Sequence, residues 1–120
     1  MEITLPEKPV VWQKSSKKDL LTFPVPVIKE IGHALHLAQQ GEKSPDAKPL
    51  KGISGVLEIV ENHDTDTYRA VYTVRFEKAI YVLHCFQKKS KSGIATPKQD
   101  IDLIKQRLKE AEADYKEKFS

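Results

Sequence analysis

The sequence predicts an α+β domain in which an N-terminal helical hairpin and a C-terminal helix pack on an antiparallel β-sheet. Apolar residues recur at helical spacing towards both ends of the chain, whereas its middle is rich in valine, isoleucine and aromatic residues typical of strands. The chain has 120 residues, the length of one ordinary domain. We therefore expect a single domain over residues 1–120.

The N-terminal part should contain an extended segment followed by two helices. Residues 1–13 hold two prolines among apolar residues, which favours an extended arm or an edge strand. Residues 15–41 are predicted to form the helical hairpin, because two prolines end a first short helix and apolar positions then recur from Val27 to Ala38. Gly41 is suited to the position just after the second helix.

The rest of the chain should form a loop, a sheet and a helix. Residues 42–55 contain prolines and glycines that favour a surface loop. Residues 56–86 have the composition of three antiparallel strands separated by polar turns. Residues 97–119 begin with a proline suited to a helix start and continue with an apolar stripe at helical spacing, so we expect this last helix to pack on the sheet.

Composition and charge exclude several classes of protein. The net charge is only +3, with 39% apolar and 31% charged residues, as expected for a folded domain with a solvated surface. Cys85 is the only cysteine, which rules out an internal disulfide and a zinc knuckle. No segment has the length and apolarity of a membrane span or signal peptide, so we expect a cytoplasmic protein without membrane contact. His33 and His36 lack a third ligand at a useful spacing, and we predict no metal and no cofactor.

Several short motifs follow one another along the chain. They are Lys48-Pro49-Leu50-Lys51-Gly52, Gly55-Val56-Leu57-Glu58-Ile59, Tyr68-Arg69-Ala70-Val71-Tyr72, Val82-Leu83-His84, Phe86-Gln87-Lys88-Lys89 and Thr96-Pro97. In this order they resemble the phage-derived HigB-like branch of the RelE/ParE superfamily, and the resemblance covers most of the chain.

The resemblance implies a RelE-like microbial RNase fold and the role of toxin in a type II toxin–antitoxin system. It implies a ribosome-dependent, metal-independent mRNA endonuclease whose partners are the ribosome, mRNA and a cognate antitoxin of helix-turn-helix type. The same superfamily contains proteins that poison DNA gyrase, and a catalytically degenerate member would act only as an antitoxin-binding module. The fold by itself does not decide between these functions.

Cleavage of RNA without a metal needs a base for the 2′-hydroxyl, a cation for the phosphate and an acid for the leaving oxygen. Arg69 is the first candidate for the cation, since the family's Tyr-Arg motif places it on a strand and a guanidinium binds phosphate through two hydrogen bonds. The alternative is a structural ion pair with Glu58. If a two-residue turn at 77–78 joins the last two strands, Arg69 lies opposite Phe86 and shares a sheet face with His84.

Three further residues complete the predicted catalytic set. Glu58 is either a general base or a residue that orients Arg69, and His84 is either an acid or base or a half-buried core residue. Lys89 coincides with a basic pair of the family, although a solvated strand end would have the same composition. Arg75 is predicted only to bind, because it lies about 20 Å from Arg69 along the strand. The RNA-binding candidates are Lys88, Lys91, Arg75 and Lys51.

Overall fold

The computed structural model describes residues 7–88 and 96–119. Its elements follow in the order β1 (Val10–Trp12), α1 (Ser16–Leu20), α2 (Val25–Gln39), β2 (Ala47–Pro49), β3 (Val56–His63), β4 (Asp66–Thr73), β5 (Ile80–Lys88) and α3 (Lys98–Phe119). The predicted α+β class is confirmed. None of the helices in these two ranges is both long enough and apolar enough to cross a membrane.

The strands form one sheet in the order β1-β5-β4-β3-β2. Strands β2 to β5 are antiparallel neighbours, but β1 runs parallel to β5. The prediction of a purely antiparallel sheet is therefore wrong at this edge. Ile80 N donates to Pro9 O (2.9 Å) and Gln13 N donates to Val82 O (3.0 Å), and these partners are too far apart in the sequence for a local pattern to reveal their pairing.

The predicted surface loop at 42–55 contains the edge strand β2, so this prediction is also wrong in part. Ala47 pairs with Ile59, and Pro49 pairs with Leu57. Ala47 is buried in the core, and an edge strand tolerates a proline because one side of it needs no hydrogen-bond donor. The surrounding prolines and glycines do indicate turns. The strand between them is only three residues long, too short to be recognised from the sequence pattern.

The register between β4 and β5 positions the site described below. Arg69 lies opposite Phe86, as predicted, but Tyr72 lies opposite Val82 rather than Leu83. The two strands are joined by a longer connection than the predicted two-residue turn. A register shift at this point, of the kind a β-bulge produces, compensates for the difference, so the pairing around Arg69 agrees with the prediction.

Each face of the sheet carries its own hydrophobic core. Helices α1 and α2 cover one face through residues such as Leu20 and Ile31. Helix α3 covers the other face through Ile104, Leu108 and Ala111. Successive side chains of a strand point to opposite faces of the sheet. Every second residue of β4 therefore faces α2, and the residues between them face α3.

Candidate functional site

A buried ion pair lies on the α3 face of the sheet. Arg69 in β4 and Glu58 in β3 are diagonal neighbours, since Glu58 pairs directly with Val71. Arg69 Nη1 donates to Glu58 Oε1 at 2.9 Å, and the two residues are only 1% and 3% exposed. A guanidinium buried to this degree requires a neutralising partner, and Glu58 provides it. The ion pair that the sequence offered as an alternative role for Arg69 is therefore present.

Two further side chains complete this cluster. Thr96, just before α3, donates from Oγ1 to Glu58 Oε2 (3.0 Å) and accepts a longer hydrogen bond from Arg69 Nη1 (3.4 Å). Lys48 of β2 brings its exposed ammonium to 3.7 Å from Glu58 Oε1. One carboxylate thus lies between two cations, so these side chains carry an excess of positive charge.

A second polar pair joins the sheet to the first turn of α3. His84 Nε2 lies 2.8 Å from Asp100 Oδ1, and the Phe86 ring stacks on the imidazole with centroids 4.7 Å apart and planes 17° apart. His84 is 8% exposed. Its Nδ1 is buried and has no hydrogen-bond partner among residues 7–88 and 96–119.

Sequence reasoning missed Asp100. The available signal was an acidic residue in the first turn of a helix that begins after Thr96-Pro97, a position where the helix dipole favours negative charge. This signal does not reveal that the carboxylate reaches a histidine on the sheet, because that contact depends on how α3 is placed over β5.

The structure therefore brings together three of the four predicted catalytic residues. Arg69, Glu58 and His84 share the α3 face; Thr96 contacts the ion pair from just before α3, and Asp100 contacts His84 from the first turn of this helix. A cation, a carboxylate and an imidazole are groups able to hold a phosphate and transfer a proton. All three are closed from bulk solvent in the free protein.

The predicted RNA-binding lysines are dispersed around this cluster. Lys88 pairs with Thr67 at the end of β5 and lies on the same face as Arg69, two residues beyond Phe86. Lys51 is exposed in the turn after β2. Lys89 and Lys91 fall outside the described residues, and their roles stay predictions.

Arg75 lies at a different place on the molecule. Its Nη1 is 2.5 Å from Glu112 Oε1, and its Nη2 donates to Ser54 O. Glu112 follows Asp100 by about 18 Å along α3, given the rise of a helix. The structure does not bring Arg75 to Arg69, and RNA binding by Arg75 stays a prediction.

Three carboxylates from separate segments meet on the α2 side of the sheet, opposite the face that carries Arg69. Glu30, Asp46 and Glu61 each place an oxygen within 4.8 Å of the others. Burial, followed by a hydrogen bond with Asp46 and the charges of Asp46 and Glu30, raises the pKa of Glu61 from 4.5 to about 8. Such oxygens are the ligands that a hard divalent cation prefers, and a retained proton relieves the same repulsion. The absence of a metal stays a prediction.

We expect Glu61→Gln to stabilise the protein at alkaline pH. The pKa of folded Glu61 is raised, so its protonated form stabilises the fold fully below pH 4.5, and this contribution is lost as the pH rises through about 8. Glutamine imitates the protonated form at every pH. Because the cluster is partly solvated, we expect a gain of only about 1 kcal/mol near pH 9. Urea unfolding at pH 5 and pH 9, close to the two ends of the pH range over which Glu61 loses its proton, measures this gain in stability.

Glu77→Gln is the matched control, since Glu77 is exposed in the connection between β4 and β5. It should leave the pH dependence of unfolding as in the wild type. A Glu61→Gln variant with the same loss of stability between the two pH values as the wild type would contradict the assignment.

Comparison with known proteins identifies the family. The family model described as phage-derived protein Gp49-like matches residues 18–109. The chain belongs to the phage-derived Gp49-like family. The Gp49-like region runs from α1 into α3 and includes Glu58, Arg69, His84 and Asp100. No curated protein sequence is detectably similar to the chain.

One solved structure is similar to this Gp49-like protein. A chain in the crystal structure of the toxin–antitoxin complex RelBE2 from Mycobacterium tuberculosis superposes with a TM-score of 0.47 and 16% sequence identity. The superposition covers 74% of this chain and 100% of that chain.

Proposed function

We propose that this Gp49-like protein is the toxin of a type II toxin–antitoxin system and a metal-independent endonuclease that cleaves mRNA on the ribosome, in the cytoplasm. The ordered motifs that resemble the HigB-like branch of the RelE/ParE superfamily support this proposal. The observation that supports it most directly is the convergence of Arg69, Glu58 and His84 on one sheet face. The proposed partner that neutralises it is a cognate antitoxin of helix-turn-helix type.

In this proposal the scissile phosphate replaces Glu58 as the anion that Arg69 binds. The guanidinium keeps its charge at any physiological pH and offers two parallel donors to phosphate oxygens. Before RNA binds, Glu58 neutralises it at 2.9 Å. Lys48 lies beside Glu58 and favours the approach of an anion to the same place.

The proposed chemistry is attack by the neighbouring 2′-hydroxyl. His84 takes the hydroxyl proton, the 2′-oxygen forms a bond to phosphorus, and the bond from phosphorus to the 5′-oxygen breaks. The leaving 5′-oxygen takes a proton from water, so the products are a cyclic phosphate and a free 5′-hydroxyl. Arg69 stabilises the additional negative charge that develops on the phosphate oxygens.

The proposed contacts with flanking RNA come from Lys51, Lys88, Lys91 and Arg75. Lys89 keeps its predicted catalytic role at the scissile phosphate. Lys51 is exposed, and Lys88 lies on the Arg69 face. Contacts of lysine with phosphate release counterions, so binding to ribosomes should weaken steeply as salt concentration rises.

Induced expression in a bacterial host tests the function. The wild type should arrest growth and cut mRNAs within translated frames, which mapping of RNA 5′ ends detects. Arg69→Lys keeps the charge that Glu58 requires but loses the planar donor pair, and we expect a reduction in cleavage of about 10²–10³-fold. Lys105→Ala removes an exposed lysine of α3 and should leave toxicity unchanged.

Three outcomes would contradict the proposal. One is a wild-type protein that is expressed, folded and harmless. Another is growth arrest in which mRNAs stay intact and gyrase supercoiling is lost. The third is an Arg69→Lys variant that is folded by circular dichroism and cleaves mRNA as fast as the wild type.

A further inference from the structure

We infer that Asp100 is the residue that positions His84 for proton transfer, by holding the imidazole in the tautomer whose Nδ1 is the proton acceptor. The inference rests on the proposed function and adds a residue to it. Asp100 does not contact the RNA in this scheme. Its effect is exerted entirely through the ring of His84.

The contact with Asp100 decides which nitrogen carries the proton. A carboxylate only accepts hydrogen bonds, so the 2.8 Å contact between Asp100 Oδ1 and His84 Nε2 requires a hydrogen on Nε2. The neutral imidazole has one hydrogen, and its other nitrogen therefore holds a lone pair. That nitrogen is Nδ1, which is the basic position of the side chain.

The surroundings of Nδ1 agree with a position kept for a substrate. Within the described residues, Nδ1 is buried and accepts no hydrogen bond. A buried polar atom without a partner costs stability, so a structural role for His84 alone does not account for it. A substrate hydroxyl that donates to Nδ1 satisfies this atom and is at the same time placed for deprotonation.

Two features hold the pair in this geometry. Phe86 stacks on the imidazole with its ring plane only 17° away, which opposes rotation of the ring. Asp100 lies in the first turn of α3, where Asp100 N donates to Pro97 O at 3.1 Å. A negatively charged side chain is favourable at this position because of the helix dipole.

The same logic predicts what amide substitution does. Asp100→Asn keeps the size of the side chain, but its amide donates to Nε2 and shifts the hydrogen of the neutral ring to Nδ1. The lone pair then points at residue 100 rather than at the substrate. In the catalytic triad of serine, histidine and aspartate, the same substitution of the aspartate lowers turnover by about 10⁴-fold, and we expect a loss of about 10²–10⁴-fold in mRNA cleavage here.

The experiment combines nitrogen NMR with cleavage on translating ribosomes. In ¹⁵N-labelled protein, the His84 signals are assigned by their loss in His84→Gln, and they should report a hydrogen on Nε2 in the wild type and on Nδ1 in Asp100→Asn. Asp100→Glu restores the carboxylate and should recover part of the activity. Asp102→Asn is the matched control, because it removes an equal charge from an exposed position on the same turn of α3.

The outcomes separate this inference from the function on which it rests. A wild type that cleaves no mRNA overturns both. An active wild type overturns the inference alone if neutral His84 carries its hydrogen on Nδ1 or if Asp100→Asn cleaves as fast as Asp102→Asn. Full activity of His84→Gln overturns the inference together with the proposed role of His84 as the base, while the assignment as an mRNA endonuclease stands.

Discussion

Replacing Glu58 with alanine should lower the free energy of unfolding by about 3–5 kcal/mol, because it leaves the Arg69 guanidinium buried without its anion. Arg69 is 1% exposed and has Glu58 as its ion-pair partner at 2.9 Å. Lys48 brings a second positive charge close to the vacated position and increases the penalty. Urea unfolding followed by circular dichroism measures the loss. A loss below about 1 kcal/mol would mean that the pair is more solvated than its burial indicates.

Replacing both partners separates the structural role of the pair from its proposed catalytic role. Glu58→Leu combined with Arg69→Met removes both charges at similar volume, and such replacements of buried pairs are often neutral or stabilising by about 1–4 kcal/mol. We therefore expect the double variant to fold at least as stably as Glu58→Ala and to be harmless on expression. A double variant that is folded and still toxic would assign the pair to structure alone.

Replacing Ile104 with alanine should have the other large effect, a loss of about 2–5 kcal/mol. Ile104 is fully buried and lies one turn after Asp100 in α3, where it packs in the cluster that includes Leu83 and Val71. Removing its side chain leaves a cavity between α3 and the sheet. Thermal unfolding gives the stability loss, and hydrogen exchange should show that amides of α3 lose protection first.

Lys105→Ala is the control for this prediction, because it is the neighbouring residue on the exposed side of α3. An exposed substitution of this kind changes stability by less than about 0.5 kcal/mol. If Ile104→Ala falls within the same range, α3 contributes little to the core, and the contacts of Thr96 and Asp100 with the sheet lose their structural support.

Much of the fold could be predicted because it depends on local patterns. The spacing of apolar residues reveals α2 and α3, and the strand-rich segments reveal β3 to β5 and place Arg69 opposite Phe86. The sequence predicts an extended arm or an edge strand where β1 lies, but it misses β2. Both strands are three residues long, and each obtains its hydrogen bonds from a longer strand elsewhere in the chain. A segment this short has no period of its own to recognise.

The candidate site could be predicted only in part, for a related reason. Arg69, Glu58 and His84 lie on strands whose register follows from side-chain alternation, so their common face is accessible to sequence reasoning. Asp100 lies in the first turn of α3 and Thr96 just before this helix, and their contacts depend on where the helix crosses the sheet. The carboxylate cluster of Glu30, Asp46 and Glu61 likewise joins three separate segments.

Composition and periodicity by themselves determined that this chain folds into helices and a sheet, and which strand positions share a face. The tertiary structure decided that Arg69 is buried against Glu58 and that Nε2 of His84 faces Asp100. The physical reason is that side-chain direction within an element repeats with a fixed period, whereas burial and hydrogen-bond partners depend on the packing of elements that are distant in the chain.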